Sequence, residues 1–160
     1  MRERKRNRLY KFDYSSEAIY FLTSCVQDRI CCLGNVENGK MILNSYRKKA
    51  NEQILWLEKR FTYFKIYNHV VMPNHVHILC EIIKNGDCNK IKSISELIGA
   101  FKTTSSKQIH LAGLNNFSWQ RSFHDHIIRD YSSFENIYNY ITRNPEKWDN
   151  DTFYNKIDET

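Results

Sequence analysis

The chain has 160 residues, of which 41% are hydrophobic, so it suits one domain with a packed core rather than a disordered chain. Lys and Arg number 24 against 18 Asp and Glu, and the resulting net charge of +6 favours a polyanionic partner. No stretch is apolar enough to cross a membrane and no apolar segment follows the basic start, so we expect a cytoplasmic protein with no membrane partner.

The first half of the chain alternates between β-rich and helical patterns. Ile42, Tyr46, Ala50, Ile54 and Leu57 recur at helical spacing. Met72-Pro73-Asn74 contains turn formers and separates two apolar segments, which predicts a hairpin. In chain order, we predict a strand over 18–26, a loop over 34–39, a helix over 40–60, a strand over 61–71 and a returning strand over 75–83.

The second half contains two patterns typical of helix starts. Ser93 with Glu96, and Ser132 with Glu135, have the spacing of capping boxes, in which both side chains bond free backbone N–H groups. The second helix has an apolar stripe of Phe134, Ile137, Tyr138 and Ile141, so the Tyr138 ring should be buried and Tyr131 should lie outside the helix. We also predict a polar loop over 85–92, an irregular stretch over 111–118, a strand over 123–128 and a helix end at Pro145.

This order of elements indicates an α+β fold in which helices pack on one antiparallel sheet. We expect a basic N-terminal arm over 1–13, a single domain over 14–150 and a short C-terminal tail over 151–160. The five cysteines form no C-x-x-C pair and are expected to be free thiols.

His75-Val76-His77 follows the predicted turn and lies on a predicted strand. Side chains two residues apart on a strand point to the same face, so both imidazoles can converge on one cation. Val76, Ile78 and Cys80 would then point to the opposite face, into packing. The alternative is a pair of ordinary histidines on a wet sheet face, because an isolated H-x-H motif is short.

Tyr140 lies off the apolar stripe of the last helix, and Asn144 follows one turn later on the same face. A tyrosine hydroxyl beside a metal can attack a phosphodiester and form a covalent phosphotyrosine. Asn144 can supply a third, oxygen ligand to that metal. The alternative is a surface tyrosine that bonds only to water.

Basic and aromatic residues at two places indicate single-stranded nucleic acid as the partner, because cationic side chains contact phosphates and aromatic rings stack on bases. The alternatives are a solvated tail and a tryptophan within the core. The candidate DNA-binding residues are Arg4, Lys5, Arg6, Arg8, Trp119, Gln120, Arg121 and Arg129.

Three ordered motifs carry a resemblance to a known family. They are Val71-Met-Pro-Asn-His-Val-His-Ile-Leu79, Trp119-Gln-Arg-Ser-Phe-His-Asp-His-Ile-Ile-Arg129, and Tyr140-Ile-Thr-Arg-Asn-Pro145 with Trp148. The chain resembles the single-tyrosine HUH transposases of the insertion-sequence-200-like superfamily, and most closely their REP-associated tyrosine transposase branch. Tyr14-Ser and Ile19-Tyr-Phe-Leu-Thr23 also look like that branch, so the resemblance spans roughly Leu9 to Trp148.

The resemblance implies a ferredoxin-like antiparallel sheet with flanking helices. It implies that His75 and His77 bind Mg²⁺ or Mn²⁺, with Asn144 as the third ligand and Tyr140 as the nucleophile. Members of the family nick single-stranded DNA near hairpins, leaving a 5′-phosphotyrosine and a free 3′-OH, and a homodimer is possible. Two other functions stay open: a catalytically silent protein that binds hairpin DNA, and a metal-dependent hydrolase that uses water.

Overall fold

The computed structural model describes residues 12–84 and 90–150. The predicted arm residues Arg4, Lys5, Arg6 and Arg8, the tail over 151–160 and Cys88 lie outside the described residues. The elements are β1 (Ala18–Cys25), β2 (Gly34–Glu37), β3 (Lys40–Leu43), α1 (Ser45–Arg60), β4 (Phe64–Met72), β5 (His75–Ile82), α2 (Ile94–Leu111), β6 (His124–Ile128), α3 (Tyr131–Arg143) and a 3₁₀ turn (Pro145–Asn150).

Four strands form one antiparallel sheet in the order β4-β5-β1-β6. Helix α1 lies between β1 and β4 along the chain, and helix α2 lies between β5 and β6. This is the β-α-β-β-α-β arrangement of the ferredoxin-like fold. The predicted α+β fold with a ferredoxin-like sheet is therefore confirmed, and the His75–Ile82 strand lies at its centre.

The two faces of the sheet are covered by different helices. On one face, Tyr20, Leu22, Val76 and Ile78 belong to the larger core, which includes residues of α1 and α2 such as Phe101. The other face packs against α3, and this smaller core consists of Val70, Met72, Leu79, Ile128, Ile141 and Trp148. Because side chains alternate along a strand, the odd-numbered residues of β5 face α3. His75 and His77 are therefore on the α3 side.

Residues 34–43 correct the sequence prediction of a loop running into a long helix. They form a hairpin of β2 and β3 around Asn38 and Gly39, whose φ angles are 50° and 72°. Two-residue hairpin turns of this kind need positive φ at both positions, which Asn and Gly tolerate best. Helix α1 begins only at Ser45, because the Asn44 side chain accepts a hydrogen bond from the Arg47 N–H at 2.8 Å.

The helix starts in the second half follow the sequence only in part. The Ser93–Glu96 capping box of α2 is confirmed by both of its hydrogen bonds. The predicted box at Ser132–Glu135 is wrong, because Asp130 caps α3 by accepting from the Ser133 N–H at 2.7 Å. Tyr131 is thus the first residue of the helix rather than outside it.

The α-helix ends before Pro145, as predicted. Among the described residues, no helix combines the length and the apolar character needed to cross a membrane. Within the same part of the chain, Cys25, Cys31, Cys32 and Cys80 are outside any disulfide.

Candidate functional site

The two histidines of β5 form a buried, convergent pair. His75 and His77 are 0% and 2% exposed, and their Nε2 atoms are 3.1 Å apart. Their neighbours on the strand, Val76 and Ile78, belong to the core on the opposite face, as the alternation predicts. The pair is therefore not on a solvent-exposed sheet face. On the α3 side of the sheet, the Trp148 ring stacks on the His75 ring, with 6.0 Å between their centroids.

Each histidine has a second partner at its Nδ1 atom. The Asn74 Oδ1 lies 2.8 Å from His75 Nδ1, and the Thr23 Oγ1 lies 2.7 Å from His77 Nδ1. Thr23 reaches His77 because the two residues are directly opposite each other in the register between β1 and β5. The outer nitrogens are thus engaged, and the two Nε2 atoms are turned towards each other.

Burial lowers the pKa of His77 well below its usual value, and the nearby His75 lowers it further. A low pKa keeps the ring neutral at physiological pH. A neutral imidazole is the form that can ligate a metal ion.

The separation of the two Nε2 atoms fits a shared cation. Zinc–nitrogen bonds to histidine are about 2.0–2.1 Å, so two such ligands at a right angle lie about 3 Å apart. The residues present therefore fit a divalent ion held by two imidazoles. Among the described residues, no group of three His, Cys, Asp or Glu side chains is placed to hold a metal.

Tyr140 lies against this pair. Its ring centroid is 5.4 Å from that of His77 and 6.2 Å from that of Phe21, and the side chain is 41% exposed. It thus packs on His77 and is also open to solvent, unlike a tyrosine whose only neighbours are water. Asn144, one turn later, is buried at the C-cap of α3.

Tyr138 corrects another prediction. Its ring was expected to be buried in the apolar stripe, but it is 41% exposed, the same as Tyr140. It stacks at the helix surface on Phe134, and Asn68 of β4 donates to its carbonyl oxygen. The two tyrosines are equally exposed but contact different parts of the sheet.

Trp119 is a residue of the core. It is 7% exposed, packs against Phe101 and Phe117, and donates from Nε1 to the Ser105 hydroxyl at 2.9 Å. Its ring has no free face for a base, so the structure favours the alternative in which this tryptophan packs in the core. This corrects its assignment as a stacking residue.

The residues after Trp119 are at the histidine end of the sheet. The Gln120 N–H donates to the Cys25 carbonyl at 2.8 Å, and Cys25 is opposite His75 in the sheet. Lys102 donates to the carbonyl oxygens of residues 120–122 and so holds this loop, from which Arg121 extends into solvent. Arg129 is also exposed but follows the opposite end of β6, so the two arginines are far apart along the strand.

Comparison with known families decides what kind of protein carries this site. The model of the family described as "Transposase IS200 like" matches residues 36–144, which is more than half of the chain. The chain belongs to the IS200-like transposase family. The matched region of this transposase includes His75, His77, Tyr140 and Asn144.

Individual relatives place this transposase near the REP-associated branch. It is 34% identical to an uncharacterized protein of Haemophilus influenzae, over 94% of this chain and 93% of that protein. It is 26% identical to a protein of the same organism named "Putative REP-associated tyrosine transposase", over 86% of this chain and 76% of that protein.

Two solved structures share the fold. A REP-associated tyrosine transposase bound to a REP hairpin has a TM-score of 0.64 and 24% identity, over 88% of this chain and 74% of that one. A transposase-like protein from Deinococcus radiodurans has a TM-score of 0.53 and 15% identity, over 84% of this chain and 95% of that one.

Sequence reasoning did not identify Thr23 and Asn74 of the transposase as partners of the histidines. The sequence indicated Asn74 only as a turn former. Its position directly before His75 was the one signal that could have suggested it as a partner of that histidine. Thr23 is 54 residues from His77 in the chain. Only the register between β1 and β5 brings them together, and that register is not readable from local periodicity.

Proposed function

We propose that this transposase nicks and rejoins single-stranded DNA near hairpins, using Tyr140 as the nucleophile and a Mg²⁺ or Mn²⁺ ion held by His75 and His77. The observation that carries the proposal is the position of Tyr140, whose exposed ring packs on His77 of a buried, convergent histidine pair. Asn144 is proposed as an oxygen ligand from the same helix. His75, His77 and Tyr140 lie together within one chain.

The chemistry follows from what a tyrosine can do at a phosphodiester. The Tyr140 oxygen attacks phosphorus, a Tyr–O–P bond forms, and the bond from phosphorus to the 3′ oxygen breaks. The products are a 5′-phosphotyrosine and a DNA 3′-OH, which takes up a proton. Because the new ester keeps the bond energy, a 3′-OH can later attack it and rejoin strands without ATP.

The roles of the individual side chains follow from their burial. A bound divalent ion would supply charge neutralisation at the phosphate and would help an ordinary tyrosine, which ionises only near pH 10, to lose its proton. His75 and His77, whose rings are buried, would hold that ion through Nε2. Tyr140 is accessible enough to meet a phosphate from outside.

Hairpin DNA as the ligand is supported by the relatives and by charge. A REP-associated tyrosine transposase of the same fold has been solved bound to a REP hairpin. In this chain, exposed Arg121 lies on the loop beside the histidine end of the sheet, where it would contact phosphates. Arg129, the half-buried Gln120 and the arm residues Arg4, Lys5, Arg6 and Arg8 are further proposed contacts.

Replacing Tyr140 with Phe tests the nucleophile. The probe is labelled single-stranded DNA from the region flanking the gene, including its short palindromes, incubated with the protein and Mn²⁺ and run on a denaturing gel. Tyr140→Phe removes one oxygen and should abolish the covalent adduct while DNA binding persists. Tyr138→Phe is the matched control, because it lies on the same helix with the same exposed fraction, and its adduct should be unchanged.

Each alternative function has its own result in this assay. An adduct that persists in Tyr140→Phe and is lost in Tyr138→Phe means that the nucleophile is wrongly assigned. Hairpin binding with neither adduct nor cleavage identifies a catalytically silent binding protein. Cleavage without any adduct identifies a hydrolase that uses water.

A further inference from the structure

The turn that follows β1 has a backbone conformation that is costly for its residues. Asp28 and Arg29 have φ angles of 58° and 54°, and the Ile30 N–H donates to the Gln27 carbonyl at 3.4 Å. Positive φ at both central residues is the pattern of a type I′ turn, which favours Asn-Gly. Asp is found in this left-handed region more often than most residues, whereas Arg has no such preference. Arg29 therefore occupies a position where glycine would be less strained.

The hairpin between β2 and β3 shows the residues that such a turn usually contains. Its central residues, Asn38 and Gly39, also have positive φ angles. Strained backbone persists only where its surroundings hold it, and it is concentrated at functional sites. The long, charged side chain at the turn after β1 is therefore a candidate for a function of its own.

Asn74 holds this turn at the histidine end of the sheet. The Asn74 Nδ2 donates to the Arg29 carbonyl at 3.1 Å, and the Asn74 carbonyl accepts from the Val26 N–H at 2.8 Å. Asn74 is 1% exposed and directly precedes His75. The backbone of Arg29 is thus fixed beside the start of β5, while Arg29 itself is exposed.

A second basic loop is bonded to the same turn. The Gln27 N–H donates to the Ser118 carbonyl at 2.9 Å, and the Gln120 N–H donates to the Cys25 carbonyl at 2.8 Å. The next residue, Arg121, is exposed. The two loops therefore form one surface at this end of the sheet, and each loop contributes an exposed arginine.

Arginine has the chemistry to bind a DNA backbone at this surface. Its guanidinium group is always charged and presents several N–H donors in a plane that matches a phosphate. A strand whose scissile phosphate lies at Tyr140 carries further phosphates on both sides, and cationic side chains neutralise such phosphates.

We propose that Arg29 binds a backbone phosphate of the strand held at Tyr140, and that Arg29 and Arg121 together hold this strand at two points. The strained turn fixes the place from which the Arg29 side chain reaches the DNA. This inference rests on the proposed function, because it concerns the DNA assigned to that site.

Hairpin binding at several salt concentrations tests the contact. The probe is the labelled DNA from the region flanking the gene, and EDTA keeps divalent cations out of the salt dependence. Arg29→Gly and Arg29→Ala should both weaken binding and reduce the slope of log K against log salt by about 0.7–0.9, the value for one phosphate contact. Arg29→Lys keeps the charge and should keep the slope.

Lys59→Ala is the matched control for loss of a positive charge. Lys59 is exposed near the end of α1, shortly before β4 begins. Because the end of β4, and not its start, pairs with His75, this lysine lies towards the opposite end of the sheet. Its replacement should leave the affinity and the slope unchanged.

Comparison of the glycine and alanine variants separates the turn from the side chain. Both remove the Arg29 side chain, but only glycine adopts a positive φ without strain, so Arg29→Gly should have the higher urea midpoint. If Arg29→Ala does not fold, Arg29→Gly still tests the contact. A lower midpoint for Arg29→Gly than for Arg29→Ala would refute the argument from strain.

The outcomes separate this inference from the proposed function. Unchanged affinity and slope in Arg29→Gly, or an equal loss in Lys59→Ala, overturns the inference even if the wild type forms the DNA adduct. If the slope depends on Arg29 as expected but the wild type forms no adduct, only the proposed reaction fails. A wild type that does not bind the hairpin refutes both.

Discussion

Replacement of Trp119 separates its role in the core from a role in DNA binding. The side chain is 7% exposed, packs between Phe101 and Phe117, and bonds the Ser105 hydroxyl. Truncating a buried aromatic residue to Ala removes its contacts and leaves a cavity, which costs about 3–5 kcal/mol of unfolding free energy. Such a loss can unfold a domain of this size, so Trp119→Ala alone cannot report on binding.

Trp119→Phe is the milder variant and reports on the contribution of the indole N–H to stability. It keeps an aromatic ring in the core and removes the indole N–H, for which a net loss of about 1 kcal/mol is expected, plus the packing of the smaller ring. In this variant the Ser105 hydroxyl still donates to the Phe101 carbonyl at 2.6 Å, so its hydrogen keeps an acceptor. We expect urea denaturation to show a lower midpoint with a folded, active protein, and hairpin DNA affinity to be unchanged.

Arg121→Ala should give the opposite result. Its side chain is exposed, so the unfolding free energy should change by no more than about 0.5 kcal/mol. Loss of one phosphate contact should weaken hairpin binding and reduce the slope of log K against log salt by about 1. Trp119→Phe and Arg121→Ala are both measured by urea denaturation and by hairpin binding at several salt concentrations. The two measurements separate a loss of stability from the loss of a DNA contact.

The stacking role predicts a different pattern. Base–aromatic stacking contributes about 1–3 kcal/mol per base, or roughly 5- to 150-fold in Kd. If a folded Trp119→Leu variant, which has no ring to stack on a base, loses affinity by more than this lower bound, the burial argument is refuted. Equal affinity of the wild type for hairpin and random duplex DNA, with no salt slope, would refute the nucleic-acid function as a whole.

Two further predictions concern histidines. Replacing His75 and His77 together with Gln should abolish Mn²⁺ binding and the DNA adduct; because both rings are buried, we also expect lower stability, and full adduct formation would exclude the metal assignment. For His69, burial, followed by the charge of Arg47, lowers the pKa below 6.5 in the folded state. As pH falls below about 6.5, the unfolded chain binds a proton at His69 before the folded protein does, so the free energy of unfolding decreases in that range. His69→Gln should therefore make the urea midpoint less steeply dependent on pH between about 7.5 and 5. An unchanged pH dependence would contradict this.

Local patterns predicted those elements whose signals do not compete. The Ser93–Glu96 box and the apolar residues that follow it at helical spacing indicate the same helix, and α2 forms as predicted; these residues are Ile94, Leu97, Ile98 and Phe101. At 34–43, by contrast, Ile42 extends the helical spacing of α1 backwards, while Asn38-Gly39 is the strongest short hairpin signal in the chain. The structure follows the turn, because positive φ at two successive residues cannot be part of a helix.

The start of α3 shows the same competition between two nearby signals. Asp130 and the Ser132–Glu135 pair both have the composition of an N-cap. The Asp130 carboxylate accepts from both the N–H and the hydroxyl of Ser133, and so satisfies the helix start two residues earlier. Which of the two overlapping caps forms depends on where β6 ends and the chain leaves the sheet. That position is set by the tertiary structure.

The site was predictable where it depends on one strand or one helix. The period of two on β5 was sufficient to bring His75 and His77 together, and the turn at Pro73 set the start of that strand. Their burial was not predictable, because it requires α3 to pack on the same face. The partner Thr23 was not predictable either, because it depends on pairing between strands far apart in the chain.

The choice between Tyr140 and Tyr138 shows that direction, rather than burial, distinguishes the two tyrosines. The sequence argument separated them by exposure, yet both rings are 41% exposed. Two residues on a helix are separated by about 200° of rotation, so the rings leave α3 on nearly opposite sides. Tyr138 stacks on Phe134 of its own helix, whereas Tyr140 lies over Phe21 and His77 in the two central strands. A hydroxyl that must meet a phosphate beside the histidine pair can therefore come from Tyr140 and not from Tyr138, although solvent reaches both equally.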